Sequence, residues 1–210
     1  MRTVAILPVK RFARAKQRLR DAVDGEARER LAAAMMRDVL DVLCAYDGLE
    51  RVVVVTAEPA VAEAANACGA HVVADPDEAG QSAAAGLGVL AARELAAQRV
   101  LLVPGDTPGL EAADLDALPA RSEPVVVVPD RHGTGTNALL LTPPGAIAPA
   151  FGPGSRVRHE AAAATAGVEH AVMELPTLML DVDTPDDLAA LRASGRLGAR
   201  TAAALGALIS

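Results

Sequence analysis

A chain of 210 residues that is 51% hydrophobic can bury a sizeable core, but with one Tyr, two Phe and no Trp it must fill that core with Ala, Val and Leu. A formal net charge of −7 argues against a general nucleic-acid binder, which carries a basic face, and no apolar run approaches the length of a membrane span. Cys44 and Cys68 show no metal spacing and predict no disulfide framework, which fits a reducing cytoplasm.

In chain order, residues 3–7 read as an apolar strand, too short for a signal-peptide core. Six basic residues follow within eleven positions: Lys10, Arg11, Arg14, Lys16, Arg18 and Arg20. A solvated helix face is the bland explanation. The cluster nevertheless follows a strand directly, where α/β proteins place ligand loops. A long helix is expected over 26–45, a strand over 51–56, a helix over 59–68 ended by Gly69, and a strand over 71–74. Beyond it come a helix over 79–97, a strand over 99–103, a helix over 111–118, and strands over 124–128 and 137–141. A helix over 155–166, strand pieces over 168–174 and 179–181, and helices over 185–193 and 199–208 complete the chain.

Near-continuous Val/Leu strands alternating with helices predict a single α/β domain over 1–210, with a mostly parallel sheet covered on both faces. In such sheets ligands bind beyond the carboxyl ends of strands. Asp106 lies there, fixed between Pro104 and Pro108, where its charge must be paired, capping or holding a cation. If the strand continues, Asp181 and Asp183 share one side of it, although Thr184-Pro185 also makes a good helix start. Asp106 and Asp183 together would suit magnesium, which takes few carboxylates plus waters and phosphate oxygens. Gly133–Asn137 reads either as an anion-binding loop or as a glycine-rich hairpin turn, and the 151–155 loop further along the chain favours the anion-binding reading. Phe151-Gly152-Pro153-Gly154-Ser155 precedes a helix, so bare backbone N–H groups can meet an anion there. The chain has no P-loop lysine motif, no dinucleotide GxGxxG and no nucleophile elbow.

Taken together, Pro8-Val9-Lys10 with Ala15–Leu19, Gly105–Pro108, Pro129-Asp130 with Gly133–Asn137, Phe151-Gly152 with Gly154-Ser155 and His159, and Leu180–Leu188 resemble one family. It is the 2-phospho-L-lactate or phosphoenolpyruvate guanylyltransferase family of coenzyme F420 biosynthesis. The resemblance implies a nucleotidyltransferase-like α/β/α sandwich and a reaction of GTP with a three-carbon phospho-acid; the Ala- and Arg-rich composition, like that of a GC-rich actinobacterial chain, favours phosphoenolpyruvate over 2-phospho-L-lactate or 3-phosphoglycerate. It assigns Lys10, Lys16 and Arg18 to the GTP phosphates and the departing pyrophosphate. It assigns Asp106, Asp181 and Asp183 to Mg2+, and Thr136, Gly152 and Ser155 to the phospho-acid. Gln81 and Ser82 would lie near the nucleotide. A sugar-phosphate or molybdopterin nucleotidyltransferase of the same fold, and a nucleotide-binding regulator without turnover, stay open, as does a homodimer through 199–208.

Overall fold

The computed structural model describes residues 1–21 and 23–207. Its elements are β1 (Thr3–Val9), α1 (Gly25–Ala45), β2 (Arg51–Thr56), α2 (Pro59–Ala67), β3 (His71–Ala74), α3 (Gln81–Glu94) and β4 (Arg99–Leu102). They continue as α4 (Ala112–Ala117), β5 (Val125–Pro129), β6 (Thr136–Leu141), α5 (Ser155–Ala166), β7 (His170–Val172), α6 (Pro185–Ser194) and α7 (Ala199–Gly206). The strands form one sheet in the order β3-β2-β1-β4-β6-β5-β7. Pairing is parallel for β1 with β2 and β4, β2 with β3, and β5 with β7, whereas β6 runs antiparallel to β4 and β5. The expected mixed, mostly parallel α/β sheet is therefore present.

Side-chain alternation divides the core. Ala5, Leu7 and Val9 of β1 pack on the side of α1, α2 and α4, while Val4 and Ile6 pack on the side of α3 and α5. With both faces covered, every strand position can be apolar, which explains the unbroken Val/Leu runs. A Cβ on Gly88 would collide with Ile6, so this glycine sets how closely α3 approaches β1. Leu31, Met35, Leu188, Leu191 and Leu205 form a third cluster joining α1, α6 and α7.

The C-terminal helix packs on α1 of its own chain rather than on the sheet. Asp38 of α1 accepts from the Arg200 amide (3.1 Å), the Thr201 amide (2.8 Å) and the Thr201 hydroxyl (2.6 Å), satisfying donors that a helix N-terminus leaves orphaned. The expected end of this helix at Leu208 lies outside the described residues.

Several expectations need correction. Residues 179–181 form no strand, so the period-2 argument for Asp181 and Asp183 does not apply. The predicted 79–97 helix spans only Gln81–Glu94, because Gly80 (φ 108°) and Ala96 (φ 55°) leave helical geometry. Cys44 and Cys68, read as unpaired, form a disulfide with Cα atoms 6.2 Å apart. Cys44 sits in the last turn of α1 and Cys68 just past α2; both helices end at one edge of the sheet, a proximity that a separation of 24 residues does not reveal. Among the described residues no helix is long and apolar enough to cross a membrane.

Candidate active site

The parallel strands β1 and β4 end side by side, and antiparallel β6 begins at the same edge because Leu102 pairs with Leu139. The loop after β1, the loop after β4 and the start of β6 thereby meet. The loop after β1 turns through two short 3-10 segments, with Lys16 between them in a left-handed conformation (φ 52°). Lys16 is buried, and its Nζ donates to Asp106 Oδ2 at 2.5 Å and to Asp183 Oδ1 at 3.0 Å. The Val182 amide donates to the Asp106 carbonyl at 3.1 Å, which holds the 181–183 segment against the Asp106 loop. Residues distant in sequence are thus gathered around one ammonium group.

Burial disfavours the Lys16 charge, but Asp106 and Asp183 outweigh it and hold its pKa above the ordinary lysine value. Burial also disfavours the Asp183 charge; there the Lys16 ammonium, helped by Lys10 and Arg18, holds the carboxyl below its usual range. Lys10 and Arg18 are themselves exposed, so they add positive charge at the rim. Asp181 behaves oppositely. Burial, then the charges of Asp106 and Asp183, push its carboxyl up to about 6, against the opposing Asn137 hydrogen bond. Asn137 Nδ2 donates to Asp181 Oδ1 (3.0 Å) and to the Leu178 carbonyl (2.9 Å), orienting the carboxylate.

Thr136 opens β6, and its hydroxyl lies 3.0 Å from Nδ1 of His159, a buried residue of α5. The Ala150 amide donates to His159 Nε2 at 2.9 Å. Burial, then the Arg158 charge, lowers the His159 pKa to about 4, so the ring is neutral near pH 7. Between β6 and α5, Gly152 (φ 106°) and Gly154 (φ 70°) adopt conformations that disfavour side chains, and Ser155 begins the helix, buried. Arg158 donates to the carbonyls of Ala150 (2.9 Å), Phe151 (3.0 Å) and Pro153, so the carbonyl oxygens that would repel an anion are already engaged. Gly133–Asn137 resolves into the β5–β6 turn and the start of β6, with Asp130 accepting from the Thr134 amide at 2.8 Å. Residues 133–135 thus form a hairpin turn, and Thr136 follows it as the first residue of β6.

A cavity of about 220 Å3 opens beside Lys16, lined by Val9, Lys10, Met36, Glu78, Gln81 and Asp106, among others. Gln81 begins α3, and the Ser82 hydroxyl donates to the Phe151 carbonyl at 3.4 Å, tying the cavity wall to the glycine loop. Sequence reasoning missed Asn137 as the clamp on Asp181 and Arg158 as the clamp on the loop. Both stood beside singled-out residues, Thr136 and His159, but only the fold supplies their partners.

Among the described residues no three His, Cys, Asp or Glu side chains converge to hold a metal. What converges is the Asp106–Asp183 pair, bridged by the Lys16 ammonium. Two carboxylates suit Mg2+, which retains waters and accepts phosphate oxygens. The donor set fits the ion.

Comparison with known proteins agrees with this architecture. Residues 3–202 match the family described as Guanylyl transferase CofC like. The chain is 51% identical to the phosphoenolpyruvate guanylyltransferase of Conexibacter woesei, over 95% of this chain and 92% of that protein. It is 42% identical to the phosphoenolpyruvate guanylyltransferase of Rubrobacter xylanophilus, over 93% and 96%. Among solved structures, 4-diphosphocytidyl-2C-methyl-D-erythritol synthase superposes with a TM-score of 0.64 at 14% identity, covering 92% of this chain and 97% of that one, which shows a shared fold. The chain is a nucleotidyltransferase and belongs to the CofC-like guanylyltransferase family.

Proposed function

We propose that this enzyme joins GMP from GTP to phosphoenolpyruvate, releasing pyrophosphate, as a cytoplasmic step of coenzyme F420 biosynthesis. The observation that carries the reading is the meeting of Lys16 with Asp106 and Asp183 beside the edge where Thr136 lies, within a family whose relatives bear that name. Asp106 and Asp183 would hold Mg2+, with Asp181 beside them. That ion would supply charge neutralisation on the GTP phosphates. Lys10, Lys16 and Arg18 would bind the β- and γ-phosphates and stabilise the pyrophosphate as it leaves. Gln81 and Ser82 would lie along the nucleotide.

Thr136, Gly152 and Ser155 would fix the phospho-acid through hydroxyls and backbone amides. One of its phosphate oxygens then attacks the α-phosphorus in line; a P–O bond forms there and the bond to the β-phosphate bridging oxygen breaks. The attacking oxygen is already an anion at neutral pH, so no side chain need remove a proton. The barrier is repulsion between two anions, and the residues named above lower it by position and charge. Mass spectrometry of products from GTP, Mg2+ and an equimolar mixture of phosphoenolpyruvate, 2-phospho-L-lactate and 3-phosphoglycerate tests the reading. The enolpyruvoyl diphosphoguanosine should dominate; a dominant product from either other acid, or none, overturns the acceptor assignment.

A further inference from the structure

The cavity beside Lys16 contains a feature that phosphate chemistry does not use. Glu78 lies in its wall, in the loop between β3 and α3, with a left-handed backbone (φ 44°) that a non-glycine residue rarely holds. One carboxylate oxygen, Oε2, is engaged: Arg11 Nε donates to it at 3.2 Å, and Arg14 lies 3.5 Å away. The other, Oε1, is buried with no hydrogen-bond partner. A buried, unsatisfied carboxylate oxygen is costly, and the cost makes sense if a ligand completes it. The same cavity wall also carries Phe12, Met35, Met36 and Ala84, apolar surface against which a flat ring could lie.

We propose that Glu78 is the base-reading residue of the nucleotide site, its free oxygen accepting from the Watson–Crick donor edge of guanine. This rests on the proposed use of GTP. Guanine presents two donors along that edge, the ring N1–H and the exocyclic 2-amino group. Adenine presents there the unprotonated N1, an acceptor, which a carboxylate repels. Arg11 and Arg14 hold the other oxygen in place, and the left-handed backbone positions the side chain. Discrimination by a polar group left unpaired with the wrong ligand is stronger than discrimination by shape in an apolar pocket.

The test is equilibrium binding of GTP, ITP and ATP, without any acceptor acid, to the wild-type protein and to Glu78→Gln. ITP lacks the 2-amino group, so comparing it with GTP removes one donor from the ligand side. The wild type should bind GTP about 10-fold tighter than ITP and at least about 100-fold tighter than ATP. In Glu78→Gln both preferences should collapse towards unity, with ATP affinity rising in absolute terms because the amide can donate to adenine N1. A rise in ATP binding is a result that misfolding cannot produce. Unchanged GTP:ITP and GTP:ATP ratios in the variant overturn the assignment. Binding and turnover fail separately: if the wild type turns GTP over and the variant stays guanine-selective, only this assignment falls. If the selectivity collapses in a protein that transfers to no phospho-acid, the assignment stands and the proposed reaction falls.

Discussion

His159 Nδ1 lies 3.0 Å from Thr136 Oγ1, and the proton in that hydrogen bond belongs to the histidine. The reason is on the other side of the ring. The Ala150 N–H can only donate, so Nε2 must present its lone pair, and a neutral ring then carries its hydrogen on Nδ1. Thr136 is consequently an acceptor towards His159, which leaves its own hydroxyl hydrogen free for the phospho-acid that we propose it binds. Replacing Thr136 with Val removes that donor. The KM for phosphoenolpyruvate is expected to rise about 10- to 100-fold with a smaller change in kcat, the loss of one hydrogen bond to an anion. Steady-state kinetics at saturating GTP checks this.

The same ring makes the fold sensitive to acid. The His159 pKa is lowered to about 4 in the folded protein, against 6.5 when unfolded, so the unfolded chain binds the extra proton first. The stabilisation is fully present above pH 6.5 and is lost as pH falls towards 4. The loss should be on the order of 3 kcal/mol. Denaturant titrations across pH 7 to 4 should show the decline in the wild type and a shallower one in His159→Gln.

Lys16 Nζ bridges the Asp106 and Asp183 carboxylates, so Lys16→Met leaves the two facing each other. Asp183 then loses the ammonium that holds its pKa down. A depressed carboxyl contributes stability above its unfolded pKa and loses it as pH falls. The variant should therefore lag the wild type most at pH 7 to 8, by about 2–4 °C in Tm once the partial exposure of both carboxylates is discounted. The gap should narrow near pH 4. Calorimetry at both pH values measures it.

Asp38 is a structural counterpart to these charges. Three donors of Arg200 and Thr201 converge on its carboxylate. In Asp38→Ala those donors are left beneath α7, at a cost of about 1–3 kcal/mol. Hydrogen exchange should show α7 released while the amides of β1 and β4 stay protected.

The sheet was legible because its strands are buried on both faces. Runs such as Val52–Val55 and Leu139–Leu141 have no polar alternation and fit a sheet covered on both sides. The meeting of the loops that carry Lys10 and Asp106 was legible because both follow strands that turn out to be parallel neighbours. What could not be read was pairing at long range. The contact of Lys16 with Asp183 spans 167 positions, and the 179–183 segment is held by the Asp106 carbonyl and by Asn137 rather than by strand geometry. The Cys44–Cys68 disulfide escaped because it depends on where two helices end in space, and the Arg158 clamp, though local, because it depends on how the glycine loop folds back on the first turn of α5.

The decisive measurement is pyrophosphate release from GTP by the wild type and by Asp183→Asn, with Mg2+ and phosphoenolpyruvate supplied together and separately. Release is expected only when all components are present, and it should fall about 10²- to 10³-fold in Asp183→Asn with a Tm lowered by no more than about 4 °C. Release by Asp183→Asn at close to the wild-type rate, or release by the wild type that ignores Mg2+, would contradict a site in which Asp106 and Asp183 gather the charge that brings two phosphoryl groups together.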